Sequence, residues 1–173
     1  MKTAIVGYSG SGKSTLAEAL GRAQHADVLH LDTVHFLPGW AERGREEEQR
    51  LAEAYLDTHS AWVIDGNYTK LSYERRMAEA DRIIILLFGR FSCLRRVIQR
   101  YRRYKNTVRP TMAAGCPEKL DAAFAAWILW RGRSRAYRAQ YTRLQRQYPE
   151  KVIVLKNQRE LDAFYRSAGI MII

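Results

Sequence analysis

The residues best suited to chemistry form a glycine-rich stretch near the amino terminus, which matches the pattern G-x-x-x-x-G-K-[ST] in full. Glycines let the backbone approach an anion closely, and successive N–H groups then surround its oxygens. We expect Lys13 to reach the β- and γ-phosphates of a nucleotide, Ser14 to bind Mg²⁺, and Thr15 to approach the α-phosphate. The predicted nucleotide-binding residues are Gly7, Tyr8, Ser9, Gly10, Ser11, Gly12, Lys13, Ser14 and Thr15.

The nucleotide is expected to be ATP. A GTPase would carry D-x-x-G after a strand and N-K-x-D for the guanine base, and neither pattern occurs in the sequence. Lys156-Asn157 has the reverse order and lacks the aspartate.

Two aspartates follow short apolar runs. Asp65 comes after Trp62-Val63-Ile64, and Asp32 comes after Leu29-His30-Leu31. In a parallel sheet, ligands bind beyond the carboxyl ends of the strands. We therefore expect Asp65 to hold Mg²⁺ with Ser14, and Asp32 to orient the acceptor, to take its proton, or to hold a water on the metal. The alternative for either carboxylate is a helix N-cap or a loop position.

The elements that must position these residues alternate between strand and helix. The apolar runs are continuous, as expected for a sheet covered on both faces, and they predict a three-layer α/β/α fold around a mainly parallel five-stranded sheet in one domain, residues 1–173. The predicted strands are Lys2–Val6, Asp27–Leu31, Ala61–Ile64, Arg82–Phe88 and Lys151–Leu155. The predicted helices are Lys13–Gln24, Arg45–Ser60, Tyr73–Ala80, Phe91–Tyr104, one opening at Pro117 and bending near Gly132, and Glu160–Ser167.

Composition excludes several classes of protein. The chain is 47% apolar and 27% charged, as in a folded globular domain. No apolar run reaches the roughly 18 residues that a membrane span needs, and the amino terminus lacks the pattern of a signal peptide. Cys93 and Cys116 make neither a disulfide framework nor a zinc site, so we expect reduced thiols in the cytoplasm.

The net charge of +11 is concentrated in one segment. Residues 90–146 hold 15 Lys and Arg against two acidic residues, a net of +13. One interpretation is a basic, lid-like segment in which Arg96, Arg100 and Arg103 clamp phosphates. The alternatives are a nucleic-acid surface, since tyrosines are interleaved with the second arginine cluster, and a solvated helix face.

Candidates for the acceptor side follow the two aspartates. His35 and Trp40 come shortly after Asp32, and an aromatic wall suits a base or a sugar ring. Core packing is the alternative. Arg75 and Arg76 are cations that could hold an acceptor phosphate.

The segments that narrow the family are spread over most of the chain. They are Gly7–Thr15, Leu29–Val34, Phe36-Leu37-Pro38, Asp65-Gly66-Asn67-Tyr68, Tyr73–Arg76, Arg109-Pro110 and Gly115–Asp121. The chain resembles the adenylate-kinase-like group of P-loop kinases, and within it the bacterial DNA topology modulation (FlaR-like) proteins. The resemblance implies a nucleotide-kinase fold and ATP binding, and the family name implies an effect on DNA topology. Adenylate kinases carry Phe-Pro-Arg after the Asp-Gly pair, whereas Asn67-Tyr68-Thr69 stands here, which argues against AMP as acceptor.

Three functions are consistent with these features. The first is an ATP- and Mg²⁺-dependent phosphotransferase of the nucleotide-kinase type acting on a small molecule. The second is an ATP-binding protein whose basic segment contacts DNA. The third is a small ATPase with no dedicated acceptor.

Overall fold

The chain folds around one parallel sheet. The structure, a computed structural model, describes residues 1–170. The strands are β1 (Lys2–Gly7), β2 (Asp27–His30), β3 (Phe36–Leu37), β4 (Ala41–Glu42), β5 (Trp62–Asp65), β6 (Arg82–Leu86) and β7 (Val152–Leu155). The α-helices are α1 (Lys13–Gln24), α2 (Leu31–His35), α3 (Arg45–Thr58), α4 (Tyr73–Glu79), α5 (Arg90–Tyr104), α6 (Ala122–Leu129), α7 (Arg135–Gln147) and α8 (Gln158–Ser167).

The main sheet has the strand order β2-β5-β1-β6-β7, and every neighbouring pair is parallel. Its central strands are buried on both faces: Ile5 in β1, Ile64 in β5 and Ile84 in β6 are fully inaccessible. This explains why their sequences are continuously apolar rather than alternating. The predicted five-stranded α/β fold is confirmed, and each predicted strand lies within two residues of the observed one.

The prediction that a helix begins at Pro117 is wrong. The helix, α6, begins at Ala122, because the Asp121 carboxylate accepts a hydrogen bond from Phe124 N (2.8 Å) and caps it. The preceding residues make contacts elsewhere in the molecule. The carbonyl of Pro117 accepts a bond from Trp40 Nε1 (3.2 Å), and Glu118 N donates to the carbonyl of Thr107 (2.9 Å). The expected bend is present, since a 3₁₀ turn separates α6 from α7.

A short β-hairpin and a loop form a second, smaller apolar cluster. β3 and β4 pair antiparallel, and the loop of residues 105–121 between α5 and α6 lies against them. Met112 and Cys116 of that loop are buried beside Phe36 and Trp40. The two segments also share a backbone bond from Gly39 N to the carbonyl of Gly115 (2.9 Å). No pattern in the sequence predicted this hairpin.

Within residues 1–170, no helix is both long and apolar enough to cross a lipid bilayer. Cys93 and Cys116 are buried free thiols.

Candidate active site

The glycine-rich loop, Gly7–Thr15, is called the P-loop below. It runs from the end of β1 into the start of α1. Gly7, Gly10 and Gly12 all have positive φ angles (138°, 78° and 98°), which non-glycine residues rarely adopt. The close approach of neighbouring backbone also requires the missing side chain: a Cβ on Gly7 would lie 2.3 Å from the carbonyl oxygen of Leu86. The loop therefore has its conformation because of the glycines that the pattern demands.

Lys13 lies inside this loop. Its ammonium donates to the carbonyls of Gly7 (3.1 Å) and Tyr8 (3.0 Å). Burial lowers the pKa of Lys13, and the negative charges of Asp65 and Asp32 oppose that change. Both predicted carboxylates are thus close enough to interact with this ammonium, at the carboxyl edge of the sheet.

Ser14 and Asp65 are in direct contact. Ser14 Oγ donates to Asp65 Oδ2 over 2.9 Å, and Asp65 is buried at the end of β5. These hard oxygen donors fit Mg²⁺, which takes one or two protein ligands and completes its shell with water and phosphate oxygens. Among the described residues there is no cluster of three or more His, Cys, Asp or Glu arranged around a metal-sized space, and a phosphate-bound Mg²⁺ does not need one.

His30 supports Asp65 from behind. Its Nδ1 contacts Asp65 Oδ1, and its Nε2 contacts Glu18 Oε1 (2.9 Å). Burial lowers the pKa of His30, but the hydrogen bonds and charges of Asp65 and Glu18 outweigh burial and raise it. An imidazole ring held between two carboxylates fixes the orientation of Asp65.

Asp32 lies in the first turn of α2 and does not cap that helix. Its Oδ1 accepts a bond from the Tyr68 hydroxyl (2.8 Å), and its Oδ2 pairs with Arg109 (3.2 Å). Burial, together with the charge of Asp32, raises the pKa of Tyr68 well above its usual range, so the phenol remains a donor. The Asp32 side chain is still 37% exposed, and its carboxylate can accept further bonds from a ligand.

Arg100 and Arg109 meet at Glu118. Arg100 pairs with Glu118 Oε1 (2.6 Å), and Arg109 Nε lies 3.6 Å from Oε2. Burial and the charge of Arg109 lower the pKa of Arg100. Together with Asp32, these side chains form the four-residue network Asp32–Arg109–Glu118–Arg100, which we call the acceptor network.

The other two predicted clamp arginines lie apart from this network. Arg96 donates to the carbonyl of Ser11 (3.0 Å), contacts Gln158, and lies with its guanidinium 4.5 Å from the centre of the Phe88 ring. Arg103 is exposed, and its guanidinium lies 5.6 Å from the centre of the Tyr104 ring. The structure thus places Arg96 against the glycine-rich loop and Arg103 away from it.

A cavity of about 720 Å³ opens on the Arg96 side of the loop. It lies between α1, α5 and α8, next to the position where the nucleotide phosphates are expected. Its lining residues are Gly12, Thr15, Phe91, Ser92, Arg95, Arg96, Gln99, Gln158, Leu161 and Tyr165.

The predicted acceptor residues separate into two groups. His35 pairs with the buried Glu48 (2.7 Å), and its ring lies 4.8 Å from that of Tyr68, beside the acceptor network. Trp40 packs on Phe36 with ring centres 5.2 Å apart.

The second group, Arg75 and Arg76, lies away from the network. Arg75 pairs with Asp57 and Glu79 on the surface of α4. Arg76 is only 1% exposed and donates to the carbonyls of Leu71 (2.8 Å) and Tyr68 (2.7 Å). It supports the loop that carries Tyr68 from inside the core.

Comparison with solved structures identifies the fold. Shikimate kinase from Acinetobacter baumannii, in complex with shikimate, is 14% identical over 96% of this chain and 89% of that chain, with a TM-score of 0.56. Deoxyadenosine kinase from M. mycoides, with bound dATP, is 13% identical over 98% of this chain and 100% of that chain, with a TM-score of 0.52. The fold is that of the P-loop kinases. No protein-family model and no curated protein sequence matches the chain.

Several residues of this candidate site were not predicted. Asn67 holds Gly7, with Gly7 N donating to its Oδ1 (2.8 Å) and its Nδ2 donating to the Gly7 carbonyl (2.5 Å). Its position directly after Asp65-Gly66 was the available signal. Tyr68 and Glu118 belong to segments that carried the family resemblance, but their pairing partners are distant in sequence.

The turn after α6 also contacts the P-loop. The Arg133 guanidinium lies 4.0 Å from the centre of the Tyr8 ring, and Trp127 Nε1 donates to Ser9 Oγ (3.3 Å). The polar edge of Trp127 thus faces the glycine-rich loop.

Proposed function

We propose that the protein is an ATP-dependent phosphotransferase that moves the γ-phosphoryl group to a hydroxyl of a small molecule. The observation that carries this proposal is the position of Asp32. Its carboxylate is held by Tyr68 and Arg109, stays partly exposed, and lies within electrostatic reach of Lys13. A carboxylate in that place suits the orientation of an attacking hydroxyl, and the P-loop kinase fold provides the nucleotide side.

Each residue of the site has a role in this proposal. The P-loop amides and Lys13 would bind and orient the phosphate chain, and the cavity beside Arg96 would take the nucleoside. Ser14 and Asp65 would hold Mg²⁺, which supplies charge neutralisation of the phosphates when bound. Asp32 would accept a hydrogen bond from the acceptor hydroxyl and take its proton during transfer. Arg100 and Arg109 would set the electrostatics around the transferred group.

An ADP-release assay tests the proposal. Nucleosides, sugars and polyols are supplied one at a time with ATP and Mg²⁺. The rate of ADP formation is compared with the rate of ATP hydrolysis by the protein when no acceptor is added. The proposal predicts at least one acceptor that raises the rate above hydrolysis. A chain that hydrolyses ATP at the same rate with every acceptor would instead be a simple ATPase, and the kinase proposal would be abandoned.

A second candidate function is supported by the charge distribution. Many arginines of residues 90–146 are exposed, among them Arg102 and Arg103 in α5 and Arg135, Arg138 and Arg143 in α7. Within residues 1–170, these five make no ion pair shorter than 4.0 Å. A surface of this kind suits nucleic-acid phosphates. Filter binding to duplex DNA, measured at several salt concentrations with and without ATP, tests it. Binding that falls steeply with salt and does not depend on ATP would be charge attraction alone.

We also propose that the chain belongs to the DNA topology modulation group. This proposal is supported by the segments that resemble that group, from Gly7–Thr15 to Gly115–Asp121. A cytoplasmic location also remains a proposal and follows from the reduced state expected for Cys93 and Cys116.

A further inference from the structure

The acceptor network balances its own charges. It contains two guanidinium groups, Arg100 and Arg109, and two carboxylates, Asp32 and Glu118, which pair within it. Its formal charge is therefore zero. A site for a phosphate or carboxylate group needs positive charge that is not already balanced, and the charges of both guanidinium groups are balanced here by Glu118 and Asp32.

Glu118 is held in place, so it cannot turn away to free the arginines. Its side chain is only 4% exposed. Its backbone N–H donates to the carbonyl of Thr107, and the neighbouring Pro117 carbonyl accepts the Trp40 indole. An anionic acceptor next to Arg100 would have to lie beside this fixed, buried carboxylate. The two negative charges would repel strongly, because little water is present around the buried Glu118 to screen them.

The other candidate cations do not supply the missing charge. Arg75 pairs with Asp57 and Glu79, and Arg76 is buried with its guanidinium donating to two backbone carbonyls. Lys13 bonds to the P-loop carbonyls and is reserved for the nucleotide. A further acid, Glu48, lies close enough to raise the pKa of the Tyr68 phenol together with Asp32, and it pairs with His35.

What the site does offer is hydrogen-bond acceptance and an apolar wall. Each oxygen of Asp32 has one protein partner and two lone pairs, so each can accept one bond more. Met112 lies 3.6 Å from Arg109 Nη2 and packs with Phe36 and Trp40. Hydroxyl groups on a compact carbon framework suit these surroundings.

We propose that the acceptor is an uncharged polyhydroxy compound, such as a sugar, a polyol or a nucleoside, and that compounds bearing phosphate or carboxylate are rejected by Glu118 and Asp32. This inference rests on the proposed kinase function and names the substrate class of that same site. Transfer forms a bond between the acceptor oxygen and the γ-phosphorus and breaks the bond to the β-phosphate oxygen. ADP leaves, and the hydroxyl proton passes to Asp32.

Matched pairs of acceptors test it on the wild-type protein. The pairs are sorbitol and gluconate, ribose and ribose 5-phosphate, and deoxyadenosine and its 5′-monophosphate, each measured at saturating ATP. In any pair that is turned over, we expect kcat/KM for the uncharged member to be higher by about 100-fold, as placing like charges together costs several kcal/mol.

The outcomes separate this inference from the kinase proposal. Faster turnover of the anionic members would overturn the inference while the kinase proposal stands. Turnover of no acceptor would overturn the kinase proposal and the inference with it.

A variant tests the stated cause. Glu118→Gln keeps a hydrogen-bonding side chain but gives the network one positive charge, so the preference for the uncharged member should fall by about tenfold. Glu150→Gln is the matched control, because Glu150 is exposed and precedes β7 at the opposite edge of the sheet. Equal preferences in all three proteins would contradict the role of Glu118. If Glu118→Gln fails to fold, the wild-type pairs still decide the substrate class.

Discussion

The side-chain amide of Asn67 joins both polar groups of the Gly7 backbone, accepting from its N–H and donating to its carbonyl. Asn67 follows β5 and Gly7 ends β1, so this contact fixes the P-loop to the neighbouring strand that carries Asp65. The geometry of the proposed nucleotide site is therefore set by residues 60 positions apart in the chain.

Removal of this amide should loosen the P-loop. We expect Asn67→Ala to lower the free energy of unfolding by about 1–3 kcal/mol, since Gly7 N–H loses its partner in a part-buried place. Asn67→Asp should also weaken ATP binding, because a carboxylate would face the Gly7 carbonyl. Urea denaturation and calorimetric titration of ATP measure the two effects. Thr69→Ala, in the exposed part of the same loop, is the control, and an equal loss there would contradict the prediction.

Asp32 is expected to act in transfer rather than in nucleotide binding. Asp32→Asn should lower kcat by about 100- to 10,000-fold, the usual contribution of a general base, with little change in the Kd for ATP. Tyr68→Phe removes one hydrogen bond to Asp32 and should lower kcat by only about fivefold. Steady-state kinetics with the best acceptor, together with ATP titrations, separate these effects. A wild-type kcat in Asp32→Asn would exclude the proposed role.

Gly66 should tolerate no side chain. Its φ is +141°, and an added Cβ would lie 2.8 Å from the Cβ of Leu31. We expect Gly66→Ala to destabilise the protein by about 2–4 kcal/mol through backbone strain and overpacking. Gly89→Ala is the matched control, because nothing lies within 4 Å of its Cβ position and its φ is −56°. Thermal unfolding of both variants measures the difference, and similar melting temperatures would count against this account.

Acid should weaken the link between β1 and α4. Hydrogen bonds from Lys2 and Arg75 lower the pKa of Glu79 below its ordinary value of 4.5. The stabilisation is therefore present above about pH 4.5 and is lost as the pH falls through the lower, folded-state pKa. Glu79→Gln should flatten the dependence of unfolding free energy on pH in that range. Urea titrations between pH 3 and 7 measure it, with Glu150→Gln as the comparison, and an unchanged slope would contradict the prediction.

The strands and the P-loop were predictable because their signals are local. A buried parallel strand needs a continuous apolar run, and β6 provides one in Ile83-Ile84-Ile85-Leu86. The P-loop consists of nine contiguous residues. Its glycines stand at the positions where the backbone needs a positive φ angle. Asp65 was found for the same reason, since it directly follows the apolar run Trp62-Val63-Ile64.

The acceptor network was only half predictable because its contacts join distant segments. Arg109 and Asp32 are 77 residues apart, and no local pattern marks their pairing. Arg75 and Arg76 were expected to bind an acceptor, but on helix α4 neighbouring side chains point about 100° apart. Arg75 is therefore half-buried in surface ion pairs, and Arg76 is fully buried. β3 and β4 have two residues each, too few for any periodicity to be read.

The central position of β1 delays its pairing while the chain is being synthesised on the ribosome. β1 pairs with β5 and β6, so its edges stay uncovered until synthesis has passed Leu86. At about 5–20 residues per second this takes roughly 4–16 s after Gly7 is joined. During that time the nascent chain exposes a hydrophobic strand with unpaired backbone groups, a substrate for chaperones and a starting point for aggregation.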